Sequence, residues 1–107
     1  MKKYKILRHP EVERDLFDIL DLVAEYSGAE TALRKLAEIE ATVQSLADTP
    51  HKGTIRDEIA PGLRAIPAGR KGVVCFVVDD ELKEVRIVAI GYAGREWGLQ
   101  VQHRQSS

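Results

Sequence analysis

The stretch LRAIPAGRKGVVCFVVDDELKEVRIVAI, Leu63 to Ile90, decides the fold. It holds three strand-like runs: Leu63 to Pro67, Val73 to Val78 and Val85 to Ile90. The middle and last runs are rich in valine and isoleucine, whose branched side chains fit a pleated surface. Ala68-Gly69-Arg70-Lys71-Gly72 joins the first pair, and the polar turn Asp79-Asp80-Glu81-Leu82 joins the second. Both connections are short enough for hairpins, so the three runs form an antiparallel meander. Val73-Val74-Cys75-Phe76-Val77-Val78 is apolar on both faces, which places it at the centre of the sheet.

Upstream, Pro50 to Gly62 is a loop punctuated by Gly53, Pro61 and Gly62, with Ile55 and Ile59 as its anchors and room for a short element. Two helical patterns precede it. In the first, from about Pro10 to Tyr26, Val12, Leu16, Ile19, Leu20 and Val23 share one face, while Glu11, Asp15, Asp18 and Glu25 take the other. Pro10 suits a first helical turn, and Glu11, Glu13 and Asp15 favour the positive end of the helix dipole. Ser27 and Glu30 have the spacing of a capping box for a second helix that ends before Thr49-Pro50. Its stripe is Ala32, Leu36, Ile39, Val43 and Leu46. So short a connection makes the helices an antiparallel hairpin.

Tyr4 to Arg8 alternates as a short first strand, stopped by His9-Pro10. Downstream of Ile90 the pattern is weak, with a short helix expected around Trp97 and a frayed tail from Gln102 to Ser107. The order is β-α-α-β-β-β. This is an α+β fold in which a helical hairpin covers one face of an antiparallel-rich sheet and leaves the other open.

A length of 107 residues with 44% hydrophobic content supports one core and one domain, residues 1–107. Sixteen Lys and Arg against seventeen Asp and Glu give a net charge of −1, which excludes a uniformly basic nucleic-acid binder. The balance is uneven along the chain. Residues 9–48 carry three positive and ten negative side chains, whereas residues 49–72 carry five positive and two negative. One cysteine, Cys75, forms no internal disulfide, and the charged start MKKYKILRHPEVERD does not read as a signal peptide. No apolar run approaches the roughly 20 residues a membrane helix needs. The expectation is a reduced, soluble, cytoplasmic protein without membrane contact.

No phosphate-binding, dinucleotide or zinc-protease motif occurs. His9, His51 and His103 lie in separate segments without metal-ligand spacing, so neither a metal nor another cofactor is expected. Cys75 in the central strand reads as a small core residue, because burial raises a thiol pKa. The arginines carry more information. Arg64 opens a strand, Arg70 and Lys71 crown the next turn, and Arg95 follows the last strand, flanked by Tyr92 and Trp97. A meander can bring several of them to the open face or its rim, where guanidinium groups stabilise phosphoryl charge or dock to carboxylates.

Several landmarks now coincide in order and spacing. They are Asp15-Leu16 and Ile19 in the first helix, Gly28 followed by Ala32 at the turn, and Leu46 with Pro50 and Gly53 after the second helix. Pro61-Gly62-Leu63-Arg64, the Gly69 turn, the apolar strand, Asp79-Asp80 and Val85-x-Ile87 leading to Gly91 and Gly94-Arg95-Glu96 complete the set. Over about residues 4–97 the chain resembles the RelE/ParE toxin superfamily of bacterial toxin-antitoxin modules, and within it the ParE, or plasmid-stabilisation, branch. It departs from relatives that carry aromatics around the hairpin turn, having Arg70-Lys71-Gly72 there. Relatives also often place a histidine before the terminal arginine, where this chain has Gly91-Tyr92-Ala93-Gly94.

The resemblance implies two activities. RelE-like members cut messenger RNA on the ribosome through attack of a 2′-hydroxyl on the adjacent phosphate, and Arg64, Arg70 and Arg95 match their arginines. The tyrosine expected beyond Arg95 is absent from Glu96-Trp97-Gly98-Leu99-Gln100-Val101. ParE-like members lack a complete catalytic set and poison DNA gyrase, which makes gyrase poisoning the expectation here. A RelE-like ribosome-dependent endoribonuclease acting on mRNA, or an inactive binding-only relative, is the alternative. Arg64, Arg70, Lys71, Tyr92, Arg95 and Trp97 are the expected target contacts. The resemblance also implies a cognate antitoxin, of the ribbon-helix-helix, ParD-like kind, wrapping the toxin. Leu16, Leu20, Leu36 and Ile39 of the hairpin are its expected contacts.

Overall fold

Alternation ends at His9-Pro10, and the first strand, β1 (Lys5–Arg8), ends with it. The computed structural model describes residues 3–94 and 96–105. The helices are α1 (Val12–Ser27) and α2 (Ala29–Ser45), joined by the single residue Gly28. Its φ of 90° is open to glycine and strained for other residues, and it lets the chain reverse within one peptide. The expected Ser27–Glu30 capping box does not form. Ser27 is the last residue of α1 and no side-chain hydrogen bond caps α2, because the turn is too tight to leave Ser27 outside both helices.

The strands that follow are β2 (Thr54–Ile55), β3 (Leu63–Ala68), β4 (Gly72–Asp79) and β5 (Glu84–Tyr92). The last element, α3 (Trp97–Gln105), is a helix of nine residues. The sheet runs β1-β5-β4-β3-β2, so the doubly apolar strand is central, as its composition demands. All neighbours are antiparallel except β1 and β5, which are parallel. Two-residue β2 occupies the loop between Pro50 and Gly62 and pairs with Ala65 and Arg64.

The helical hairpin buries its stripes on one sheet face. Val12, Leu16, Ile19, Val23, Ala32, Ile39, Val43 and Leu46 meet Val74, Phe76, Val85, Ile87, Ile90 and Tyr92 there. Full burial of each large aliphatic or aromatic side chain is worth about 1.5–3 kcal/mol, so this layer dominates the stability.

β5 does not keep strict alternation. Cys75 pairs with Ala89 and Phe76 with Ile87, leaving Val88 as an extra residue in a β-bulge. Val85 and Ile87 face the hairpin before the bulge, and Ile90 and Tyr92 face it after, while Val88 and Ala89 join the opposite side.

That opposite side is not left open. Val101 of α3 packs with Leu63, Cys75, Val88, Ala89 and Ala60 in a second, smaller core, flanked by Ile59 and Trp97. The tail expected to fray from Gln102 therefore continues as the last turn of α3 through Gln105, and residues 106–107 lie outside the described ones.

Candidate functional site

Arg70 and Lys71 sit on the tight turn between β3 and β4, both exposed. Across the β4–β5 ladder Gly72 faces Tyr92, and the Ala93 amide donates to the Lys71 carbonyl at 2.9 Å. The turn and the end of β5 are thereby tied together, and they face the hairpin where α1 passes into α2. Between them opens a groove of about 510 Å³, lined by Leu22, Val23, Tyr26, Ser27, Thr31, Lys35, Arg70, Lys71, Tyr92 and Ala93. Its walls are apolar and aromatic and its charged lining residues are all cations. Lys35 lies 3.9 Å from Glu38, while among the described residues Arg70 and Lys71 make no ion pair.

The other expected target contacts lie elsewhere. Arg64 stands at the opposite end of β3, roughly 15–20 Å along the strand from Arg70. Its side chain is on the hairpin side, the side of Ile66 and Ala68, and its guanidinium donates to the carbonyls of His51 (3.2 Å) and Lys52 (3.5 Å). Arg64 holds the loop after α2. Trp97 packs on the second core, with the Arg56 guanidinium 5.3 Å from its ring centre. Arg95 lies outside the described residues. The convergence of arginines on one open face is thus not seen among the described residues; Arg70 and Lys71 meet beside Tyr92, which lines the same groove but is buried in the main core at 7% exposure.

Two of the four expected antitoxin contacts, Leu16 and Ile39, need correction, because they are buried. Leu16 and Ile39 are buried in the main core, and Leu20 and Leu36 are half-buried against it. They hold the hairpin to the sheet, since the stripe facing the core is the same stripe that amphipathicity reveals. The large apolar side chains that the hairpin exposes are Phe17, Tyr26 and Leu33.

Two clusters escaped the sequence. Asp15, placed by the pattern on the solvent face, is 5% exposed. It accepts from the Ile90 amide (3.0 Å), from Gln100 (3.4 Å) and from both terminal nitrogens of Arg104 (2.7 and 2.8 Å). Arg104 also donates to the Val88 carbonyl at 3.0 Å. Beyond Ile87 no strand among the described residues pairs with the outer edge of β5, and the bulge at Val88 breaks its regular ladder. The Asp15–Arg104 pair satisfies the exposed backbone groups and bolts α3 to α1. These hydrogen bonds hold the Arg104 guanidinium above its ordinary pKa, against the opposing effect of burial. The signal was present: Asp15 stands three residues after Val12 and four before Ile19, inside the apolar stripe.

At the far end, the Asp80 carboxylate accepts from the Tyr4 hydroxyl at 2.6 Å and contacts His51 Nε2 at 2.8 Å. The Tyr4 hydrogen bond lowers the Asp80 pKa, with His51 adding to it, and the same bond raises that of Tyr4. With Lys83 5.4 Å from the centre of the Tyr4 ring, this clasp joins the start of the chain to the β4–β5 turn. No spacing rule links residues so far apart. Cys75 is fully buried, and desolvation pushes its thiol up to about 12.

A groove with apolar and aromatic walls and a cationic mouth suits binding of an anionic or apolar group. The family model for the ParE toxin of the type II toxin-antitoxin system parDE matches residues 6–97. The chain belongs to the ParE toxin family. It is thus a toxin of a type II toxin-antitoxin module within the RelE/ParE superfamily. No curated protein matches it. Among solved structures it is similar to a chromosomal ParDE toxin-antitoxin system from P. aeruginosa, at 25% identity and a TM-score of 0.73 over 85% of this chain and 97% of that one. The RelBE2 toxin-antitoxin complex from Mycobacterium tuberculosis matches at 19% identity and a TM-score of 0.62, covering 85% of this chain and 99% of that one. A free-state arginine mutant of E. coli RelE matches at 11% identity and a TM-score of 0.66, covering 96% and 97%. The last two likenesses establish the shared fold of this ParE-family protein. Among its described residues no helix is long and apolar enough to cross a membrane.

Proposed function

We propose that this ParE-family toxin arrests growth by poisoning DNA gyrase, and that a cognate antitoxin of the ribbon-helix-helix, ParD-like kind neutralises it in the cytoplasm. The observation that carries the reading is the separation of the cations. Arg64 is committed to loop carbonyls at one end of β3, while Arg70 and Lys71 stand with Tyr92 at the other, so they do not share one phosphate. Ribonuclease chemistry needs its charge-stabilising and proton-moving groups within hydrogen-bond reach of one reacting centre. A binding surface needs only exposed cations beside an apolar wall, and that is what Arg70 and Lys71 supply beside Leu22 and the exposed Tyr26. Membership of the ParE family points the same way.

Purified gyrase tests it. With the chain in excess, supercoiling of relaxed plasmid should fail and cleaved DNA should accumulate, and Arg70→Glu with Lys71→Glu should raise the required concentration at least tenfold. Undisturbed gyrase, with transcripts cut on translating ribosomes instead, would transfer the protein to the RelE-like mRNA endoribonuclease reading.

A further inference from the structure

Tyr92 borders two clefts: the basic groove, and a smaller one between α1, the end of β5 and the start of α3. The polar lining of the second is Asp15, Asp18, Tyr92, Glu96 and Gln100, and no described cation lines it. Asp15 is committed to Arg104, whose terminal nitrogens lie 2.7 and 2.8 Å from it. Asp18 and Glu96 are exposed and make no ion pair or side-chain hydrogen bond among the described residues. Two exposed carboxylates by themselves are ordinary hydrated surface. Tyr92 adds an independent observation. It is 7% exposed, yet its hydroxyl has no hydrogen-bond partner among the described residues. Buried hydroxyls are as a rule bonded, and a purely apolar core position is filled as well by phenylalanine. This hydroxyl is not sealed in the core, so it opens to a ligand in the cleft wall. The volume of about 230 Å³ lies below the usual range for drug-sized ligands and suits one side chain or a small amine.

We propose that this cleft binds one guanidinium or primary ammonium group, guanidinium preferred, with Asp18 and Glu96 taking its charge and the Tyr92 hydroxyl and Gln100 carbonyl accepting its remaining N–H donors. Gln100 donates its amide to Asp15 at 3.4 Å, which leaves its side-chain oxygen as an acceptor. Asp18 comes from α1 and Glu96 from the residue before α3, so the acceptors belong to separate elements. A guanidinium spreads five donors in a plane and meets such a set, whereas an ammonium presents three from one strongly hydrated point. The Tyr92 ring adds attraction for a cation beside it. The neighbouring carboxylate already shows this preference, since Asp15 takes the fork of Arg104. A bare metal ion fits less well: among the described residues no three His, Cys, Asp or Glu side chains are placed to hold one. The two clefts beside Tyr92 thus differ in sign, with Lys35, Arg70 and Lys71 in one and Asp18 and Glu96 in the other, which steers a cation to the second alone.

The test is an amide chemical-shift titration of the full chain with butylguanidinium, butylammonium, tetramethylammonium and acetyl-Gly-Arg-Gly-amide. Saturable shifts are expected at residues 15–19, 90–92 and 96–100. Butylguanidinium should bind about threefold more tightly than butylammonium, and tetramethylammonium, which has no N–H, should give no response. Affinity should fall about tenfold in Asp18→Asn with Glu96→Gln, both exposed side chains, and about threefold in Tyr92→Phe, which keeps the ring and removes only the hydroxyl. Raising NaCl from about 20 to 300 mM should weaken binding about fivefold. Spectra of both variants should match the parent away from the cleft, which keeps loss of binding distinct from loss of fold. No saturation, shifts spread over the surface, an equal response to tetramethylammonium, or binding indifferent to either variant would overturn the proposal. The peptide identifies the source of the group. Binding about tenfold tighter than butylguanidinium assigns the cleft to an arginine side chain of a partner protein, equal affinity assigns it to a free small guanidine, and both support the site.

Discussion

Asp15 and Arg104 carry the largest single liability in this protein. Their side chains are 3% and 9% exposed, and the carboxylate also receives the Ile90 amide. Removing one partner leaves the other charge buried, which typically costs about 3–5 kcal/mol, whereas removing both together costs much less. Arg104→Ala is therefore expected to lower the unfolding free energy by about 3–5 kcal/mol in urea titration. Restoring part of the loss in Arg104→Met with Asp15→Asn would show that the isolated charge, not lost packing, is responsible. The pair was half legible. The apolar spacing around Asp15 marks it as core-facing, yet nothing in a helix pattern names a partner 89 residues away. Arg70, Lys71 and Tyr92 are the reverse case: their types and turn position singled them out, and the groove that unites them appears only when the hairpin is docked.

Among the elements, α3 depends on one close approach. A Cβ on Gly91 would sit 2.7 Å from Cδ1 of Trp97, inside any real contact distance. Gly91→Ala should push Trp97 outward and loosen the start of α3, at a cost of about 1–3 kcal/mol for an overpacked site. The chain has a single tryptophan, so its emission reports this directly and should shift to longer wavelength. Unchanged emission would mean that Trp97 does not hold α3 on the sheet. Composition left this helix weakly patterned because it buries little beyond Val101. Its place comes from Gly91, the bulge at Val88 and the Asp15–Arg104 bond, none of which is local to it. The long helices and β4 needed no such help, since their stripes are buried against one another.

For the molecule as a whole, the centre of the sheet sets an alkaline limit. Cys75 in β4 ionises at about 12 when folded, against an ordinary value of 9.0. A group whose folded pKa is raised contributes stability below its unfolded pKa and loses that contribution as pH climbs to the folded one. Between pH 9 and 12 the thiol alone should therefore reduce stability by about 1.4 kcal/mol per pH unit. Denaturation midpoints of the protein and of Cys75→Ala should diverge in that window and run parallel below pH 8. Parallel curves throughout would show that the thiol ionises normally in the fold. The position of Cys75 was readable from its neighbours, as a run apolar on both faces belongs between two other strands.

Local chemistry was enough for the order of elements, the hairpin stripes and the central strand, because periodicity and turn residues act over a few positions and survive any detail of packing. Docking settled the rest. Whether Arg64 is a free cation or a loop anchor, whether Asp15 meets water or Arg104, and whether Arg70, Lys71 and Tyr92 form one surface depend on segments brought together across most of the chain. Those contacts follow from how layers register and where a bulge shifts the strand. A linear pattern holds no term for either, since both are properties of surfaces that exist only once the helices and α3 lie on the two faces of the sheet.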